Sequence, residues 1–217
     1  AWISALTGTA PTALVLTRQN LPQYAGSGLA ALKGGYVLED CEGTPDVLLI
    51  ASGSEVEQCV GAKAKLAEEG IKARVISMPC FEEYEKQSAE YKESVMPSAV
   101  KARVCMEAGS SYSWYKYAGD HGEIIGMNTF GASGPAAQLF KLFGFTVENV
   151  VEKAKASLAS VRKYPKIRAR ARARIFLLSS EKSSIGKDTW TFRISKPSIF
   201  TGRAAAPLTD ARFPKNS

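Results

Sequence analysis

Strand-like and helix-like segments alternate along residues 35–158, and this alternation limits the fold more than any other feature of the chain. Short apolar runs, rich in β-branched residues and bounded by polar turns, predict five strands. They lie at residues 35–39, 46–51, 74–78, 103–107 and 123–127. Strands that alternate with helices predict a three-layer α/β domain, in which a mostly parallel open sheet has helices on both faces and an edge strand can run antiparallel.

The segments between these strands have helical patterns. In residues 52–69, Ser52 followed by Glu55 has the spacing of a capping box, and Gly70 is a typical helix stop. The apolar face of this helix is predicted from residues three or four apart, which are Val56, Val60, Ala64 and Ala67, with Leu66 beside them. Further helices are predicted near residues 87–94, 114–117, 135–142 and 147–158.

The N-terminal part of the chain has a different composition. Residues 12–17 are a short apolar run with β-formers, which predicts one more strand, ending at the polar residues that begin with Arg18. Residues 20–34 are rich in Gly, Pro, Gln and Ser and predict a linker. We therefore expect four regions, namely residues 1–22, a linker at 23–34, an α/β domain at 35–160 and an extension at 161–217.

Charge separates the extension from the rest of the chain. Residues 1–161 carry 14 Lys and Arg against 18 Asp and Glu, whereas residues 162–217 carry 14 against 3. The net charges are −4 and +11, so the overall +7 describes neither part. The RARARAR run at residues 168–174 lacks interleaved aromatic residues and a zinc motif. We expect an irregular, disordered basic tail with nonspecific affinity for polyanions and no specific nucleic acid.

Cysteine spacing and hydropathy restrict the compartment and the cofactors. The four cysteines, Cys41, Cys59, Cys80 and Cys105, form no close pair, which predicts reduced thiols in a cytoplasmic protein, no metal site, and core positions for Cys59 and Cys105. No apolar run approaches the ~18–20 residues that span a membrane. The chain starts without Met or a basic segment, so we expect no signal peptide and a start inside a longer protein.

Five blocks, in the same order and spacing, resemble the C-terminal part of transketolases. They are LTRQNLP at 16–22 with GGYVL at 34–38, IASGSEV at 50–56, QSAEYKESVMP at 87–97, EAGS at 107–110, and FGASGPA at 130–136 with FGFT at 143–146. The family usually has Ala before the proline of the last block, where this chain has Gly134. The resemblance covers about residues 1–160. It implies that residues 1–22 end the middle, pyrimidine-binding domain and that 35–160 form the C-terminal domain.

The resemblance also implies an activity for the parent enzyme. Transketolases of the pentose phosphate pathway transfer a two-carbon ketol unit from a ketose phosphate to an aldose phosphate, using thiamine diphosphate held by a divalent metal such as Mg or Ca. The regions that hold this cofactor in the family are not in this chain. We therefore expect no catalytic, cofactor-binding or metal-binding residue here, and a fragment that is inactive alone but serves packing in a homodimer.

Two alternatives stay open from the sequence. The first is the C-terminal domain of a sister thiamine enzyme, either a deoxyxylulose-phosphate synthase or a dehydrogenase β subunit, against which the motif around Arg18 argues. The second is a stand-alone module for dimerisation or polyanion binding.

Arg18 is the one candidate substrate-binding residue. In the family, the Arg of this motif contacts the terminal phosphate of the sugar substrate, and the resemblance carries that role to Arg18. The chemistry agrees, because a guanidinium offers a fork of donors to phosphate oxygens.

Other polar positions have simpler interpretations. The lone histidine, His121, lies in a predicted turn without a nucleophile motif, and we interpret it as a surface turn residue. Gly119 and Asp120 with Asn128 have the wrong spacing for a diphosphate–metal motif. The turns at residues 52–54 and 109–111 could bind an anion, but ordinary helix capping is the favoured interpretation.

Overall fold

A computed structural model describes the backbone of residues 1–180 and the side chains of residues 1–163. The chain divides into two compact units, Ala1–Arg174 and Ile175–Ser217, and the sheet lies in the first. Within the described residues, no helix combines the length and the apolar character needed to cross a membrane.

Five strands form one sheet in the order β1-β3-β2-β4-β5. They are β1 (Tyr36–Glu39), β2 (Val47–Ala51), β3 (Ala73–Ser77), β4 (Ala102–Met106) and β5 (Glu123–Ile125). Strands β2 to β5 run parallel to one another, whereas β1 pairs with β3 in the antiparallel direction. The five strands predicted within residues 35–158 and the antiparallel edge are confirmed.

Helices cover both faces of this sheet. Residues 1–180 contain the α-helices α1 (Trp2–Thr7), α2 (Val56–Glu68), α3 (Phe81–Glu85), α4 (Ala89–Val95), α5 (Tyr115–Ala118), α6 (Ala136–Phe143) and α7 (Val147–Ser180). Helices α2 and α7 supply buried residues to one face, while α3, α4 and α5 supply them to the other. The predicted three-layer architecture is therefore confirmed.

Strand β2 shows how the sequence produces the two cores. Its side chains alternate in direction, so Val47, Leu49 and Ala51 join one apolar cluster and Leu48 and Ile50 join the other. All five are fully buried. Burying a side chain such as Leu contributes roughly 1.5–3 kcal/mol, so a strand that is apolar on both faces stabilises both layers at once.

The junction between the linker and the sheet depends on Gly34. A short 3₁₀ helix, Leu29–Lys33, ends there, and Gly34 takes the left-handed conformation at φ 79°. A side chain at Gly34 would collide with the backbone of Cys80 and Tyr84 at the start of α3. Glycine therefore permits both the turn and the close approach of the two segments.

Three predictions about individual elements were wrong. Residues 12–17 form no strand, because the described residues offer no strand beside them to complete their backbone hydrogen bonds. Helix α2 buries Val56 and Leu66 as predicted, but Cys59 and Ala62 complete its buried face, whereas Ala64 and Ala67 are exposed. Helix α7 does not end near residue 158 but continues to Ser180.

The continuation of α7 affects the predicted irregular tail. Residues 161–180, the first part of that extension, are helical in the structure. The remainder, residues 181–217, lies outside the described residues, so its conformation stays a prediction.

Candidate functional site

Arg18, the predicted phosphate ligand, lies in an irregular and exposed segment. Neighbouring Val15 and Leu16 are 95% and 76% exposed, and Leu14 is the only residue of 12–17 that is partly buried. The Arg18 side chain makes no hydrogen bond or ion pair with the described residues. The guanidinium is therefore accessible to a phosphate, and its position is set by the chain on either side of it.

The turn after β2 does not form the predicted capping box. Ser52 precedes a 3₁₀ turn, Gly53–Glu55, but its hydroxyl caps no backbone N–H. Instead, Ser52 Oγ donates to Glu107 Oε1 at 3.0 Å, across the sheet edge. Glu107 follows the adjacent strand β4, and its Oε2 accepts a 2.6 Å hydrogen bond from Trp114 Nε1. The Ser52 hydroxyl joins two strand ends, because β2 and β4 are neighbours.

Glu55 is the second carboxylate at this edge, and it is only 6% exposed. Its Oε1 accepts from the backbone N–H of Ala108 at 3.3 Å, and its Oε2 accepts from Ser54 Oγ at 3.3 Å. Burial raises the pKa of Glu55, with a smaller increase from the charge of Glu107, and the hydrogen bonds partly oppose it. The carboxylate therefore holds the turn after β4 in place at an electrostatic cost.

The turn after β4 agrees with the capping interpretation. Ser110 Oγ accepts from the backbone N–H of Tyr112 at 3.4 Å. Asn128 Oδ1 accepts from both the N–H and the hydroxyl of Ser111, at 3.2 and 3.0 Å. These contacts occupy donors that an anion would need, and they give Asn128 a structural role.

His121 lies in the predicted turn, but it is only partly exposed because it packs against α7. Its Nδ1 lies 3.0 Å from Ser160 Oγ, and its carbonyl accepts from Ser157 Oγ at 2.6 Å. The buried Ser157 hydroxyl also accepts from the N–H of Arg103 in β4 at 3.0 Å. This histidine therefore takes part in the contact of α7 with the sheet, which the sequence did not indicate.

The cysteines have the predicted arrangement. All four are free thiols, and Cys59 and Cys105 are fully buried. Burial raises the pKa of Cys59 to about 12, and it raises the pKa of Cys105 as well. Neither thiol is therefore ionised near neutral pH. Across the described residues, no group of His, Cys, Asp and Glu is arranged to hold a metal ion.

An uncharged surface extends from β5 into α6. Residues 124–140 contain no charged residue, and residues 128–138 are all exposed. Phe130 is 98% exposed, and the apolar helix α6 has no buried residue. We call residues 128–138 the uncharged segment. An exposed stretch that lacks charge and presents a large apolar side chain is typical of a protein–protein contact.

A cleft of about 240 Å³ lies at the carboxyl ends of β2 and β3, under the linker. Ser77 ends β3 in its wall, while Tyr24 of the linker and Glu57 of α2 line its other sides. None of these three residues could be identified from the sequence, because they are isolated polar positions that converge only through the tertiary fold. The motif around Arg18 ends at this cleft, where Leu21 and Pro22 form part of the lining.

Comparison with known proteins agrees with this architecture. The family model of the transketolase-like C-terminal domain matches residues 34–146. Transketolase 1 of Escherichia coli is 57% identical over 151 residues, and transketolase 2 of Vibrio parahaemolyticus is 56% identical over 153. The matched region covers 68% and 69% of this chain, respectively, but only 23% of either relative.

Solved structures give the same result. The transketolase of Leishmania mexicana superposes with a TM-score of 0.68 at 38% identity, covering 73% of this chain and 23% of that one. A Pichia stipitis transketolase gives a TM-score of 0.60 at 45% identity, covering 65% and 20%. The chain belongs to the transketolase family, and it corresponds to the C-terminal portion of these enzymes.

Proposed function

We propose that this chain is the C-terminal portion of a cytoplasmic transketolase, and that within the intact enzyme it serves subunit packing and contact with the substrate phosphate. The whole enzyme would transfer a two-carbon ketol unit between sugar phosphates. The observation that carries the proposal is the family membership, because the relatives with which the chain shares more than half of its aligned residues are transketolases. These relatives favour transketolase over a sister thiamine enzyme.

The proposal gives Arg18 the role of phosphate ligand. Two Pichia stipitis transketolase structures are described as complexes with xylulose 5-phosphate and sedoheptulose 7-phosphate, so a relative binds sugar phosphates. An exposed guanidinium without an internal partner can form two parallel hydrogen bonds to a phosphate. Within residues 1–22, Arg18 is also the only cationic side chain.

Thiamine diphosphate and a divalent metal belong to the intact enzyme in this proposal. Thiamine diphosphate would supply the electron sink for the carbanion. Among the described residues, no group of His, Cys, Asp and Glu is arranged to hold the metal. We therefore propose no chemical step for this chain and expect it to be inactive by itself.

The uncharged segment supports the second role, which is packing in a homodimer. Eleven consecutive exposed residues without a charge, which include Phe130, match the depletion of charge in the core of protein interfaces. A second copy of the chain is the partner that the homodimer proposal requires.

Two measurements test the proposed roles. NMR titration with ribose 5-phosphate should show weak binding that Arg18→Ala reduces about tenfold and Arg18→Lys reduces less, whereas Lys33→Ala has little effect. Phosphate binding that Arg18→Ala does not weaken would contradict the role of Arg18.

Sedimentation should show a dimer that Phe130→Asp dissociates and that Tyr112→Asp, outside the uncharged segment, leaves intact. A chain that stays monomeric at every concentration would contradict the role in dimer packing.

An activity assay tests the inactivity of the chain alone. The chain is mixed with thiamine diphosphate, Mg²⁺, a ketose phosphate and an aldose phosphate, and no ketol transfer is expected. Turnover by this chain alone would overturn the assignment of the cofactor machinery to regions outside it.

A further inference from the structure

The cleft at the carboxyl ends of β2 and β3 contains polar groups that the fold leaves without partners. Ser77 is 9% exposed, and its hydroxyl makes no hydrogen bond with any described residue. No fully buried side-chain oxygen or nitrogen among the described residues lacks a partner, so this hydroxyl must reach the cleft that Ser77 lines. A nearly buried hydroxyl that is satisfied only through an open cleft indicates a place for a ligand.

Two more polar groups in the cleft also lack a hydrogen-bond partner among the described residues. The phenol of Tyr24 and the carboxylate of Glu57 line the cleft, and neither forms a hydrogen bond with the described residues. Burial raises the pKa of Tyr24, and the charges of Glu57 and Glu39 raise it further. The phenol therefore stays protonated near neutral pH and can donate to a ligand.

The charges around the cleft determine which ligand fits. No Lys, Arg or His in the described part of the chain lines it, and Glu57 places a negative charge at its rim. A phosphate or a carboxylate would meet repulsion without a compensating cation. A cation would gain little from Glu57, because that carboxylate is exposed and its field is screened by solvent.

A neutral molecule with several hydroxyl groups satisfies all of these conditions. Each hydroxyl both donates and accepts, so adjacent hydroxyls can donate to Glu57 while others pair with Ser77 and Tyr24. The remaining lining includes Leu21, Pro22, Leu38 and Val56, which provide an apolar surface for the carbon skeleton. Ligands of open α/β sheets bind beyond the carboxyl ends of the strands, which is where this cleft lies.

We propose that this cleft binds a small, neutral polyhydroxylated molecule through Ser77, Tyr24 and Glu57. The site does not include Arg18, which is not part of the lining. It is therefore independent of the phosphate contact proposed above. Since the linker forms one wall, an occupied cleft also holds the linker against the sheet.

Ligand-observed NMR with myo-inositol tests the site directly, with tetramethylammonium and inorganic phosphate as contrasting probes. Myo-inositol should bind saturably in the millimolar range, and neither ion should displace it. Each of Ser77→Ala, Tyr24→Phe and Glu57→Gln should weaken binding by about 2- to 10-fold, the effect of losing or weakening one hydrogen bond. Glu68→Gln, on the exposed side of the same helix, is the matched control and should change nothing.

Several results of this titration would overturn the proposed cleft site. They are absence of saturable binding, binding that all three variants retain, and stronger binding of tetramethylammonium than of myo-inositol. Displacement of myo-inositol by phosphate would also count against the site, since that result would place binding at a cationic group. Circular dichroism of the variants checks the fold, and Glu57→Gln keeps the test valid if Ser77→Ala unfolds, because Glu57 is exposed.

Discussion

Residues 47–51 and residues 12–17 have similar apolar, β-forming sequences, VLLIA and TALVLT, but only the first segment forms a strand. Strand β2 lies between β3 and β4, so both of its edges are hydrogen-bonded and both of its faces are covered. Residues 12–17 have no neighbouring strand among the described residues, and Val15 is 95% exposed. A segment with high β propensity therefore forms a strand only where neighbouring strands can pair with it.

The largest expected effect is on core packing, and it tests this comparison directly. Leu49→Ala in β2 removes a fully buried side chain and should lower the free energy of unfolding by about 2–5 kcal/mol. Leu16→Ala in the exposed segment is the matched change and should stay within about 0.5 kcal/mol. Urea unfolding of both variants measures the difference. Similar losses in the two variants would mean that residues 12–17 are packed in solution.

A smaller effect is expected from a single hydroxyl. Ser157→Ala removes the partner of the Arg103 N–H and of the His121 carbonyl in a fully buried position. The expected loss in the free energy of unfolding is about 1–3 kcal/mol, because buried backbone groups are left unsatisfied. Amide hydrogen exchange at Arg103 should accelerate as well.

Thr7→Ala is the matched control in the N-terminal region. Thr7 Oγ1 also donates to a backbone carbonyl, that of Ile3 at 2.8 Å, but it is exposed to water. Water replaces this hydrogen bond, so the variant should be nearly neutral. If Thr7→Ala lowers the free energy of unfolding as much as Ser157→Ala does, burial does not explain the importance of the Ser157 hydroxyl.

The five strands of the sheet could be predicted because each combines a short apolar run with turn residues on both sides. The burial of Cys59 and Cys105 was equally predictable, since each lies within such an apolar pattern. The face of α2 was not predictable, because alanine fits both a core and a surface. Ala62 is fully buried and Ala64 is exposed, although they are chemically identical.

The polar contacts at the carboxyl ends of β2 and β4 could not be predicted from the sequence either. Ser52 and Glu55 have the spacing of a capping box, but their side chains instead contact Glu107 and Ala108, more than 50 residues further along the chain. The cleft residues Ser77, Tyr24 and Glu57 show no shared pattern, because three separate elements bring them together. The role of Arg18 came from the family motif and stays a prediction.

The smallest expected effect lies at the carboxyl end of β1, the first strand after the linker. Asp40 pairs with Arg74 of β3, with Arg74 Nε 2.8 Å from Asp40 Oδ1 and a second 2.8 Å contact between Nη2 and Oδ2. Burial alone would raise the pKa of Asp40, but the hydrogen bonds and charge of Arg74 outweigh it and lower the pKa below 3.8. A carboxylate with a lowered pKa stabilises the fold above its ordinary pKa, and this contribution is lost as the pH falls through the lowered value. Because the Asp40 side chain is 47% exposed, Asp40→Asn should lower the free energy of unfolding by only about 0.2–1 kcal/mol at pH 7.

Urea unfolding at pH 7 and near pH 2 measures this loss of stability. The difference between Asp40→Asn and the wild type should shrink in acid, and Asp120→Asn in an exposed turn is the control. A larger difference in acid than at pH 7 would reverse the sign and exclude this ion pair as the cause.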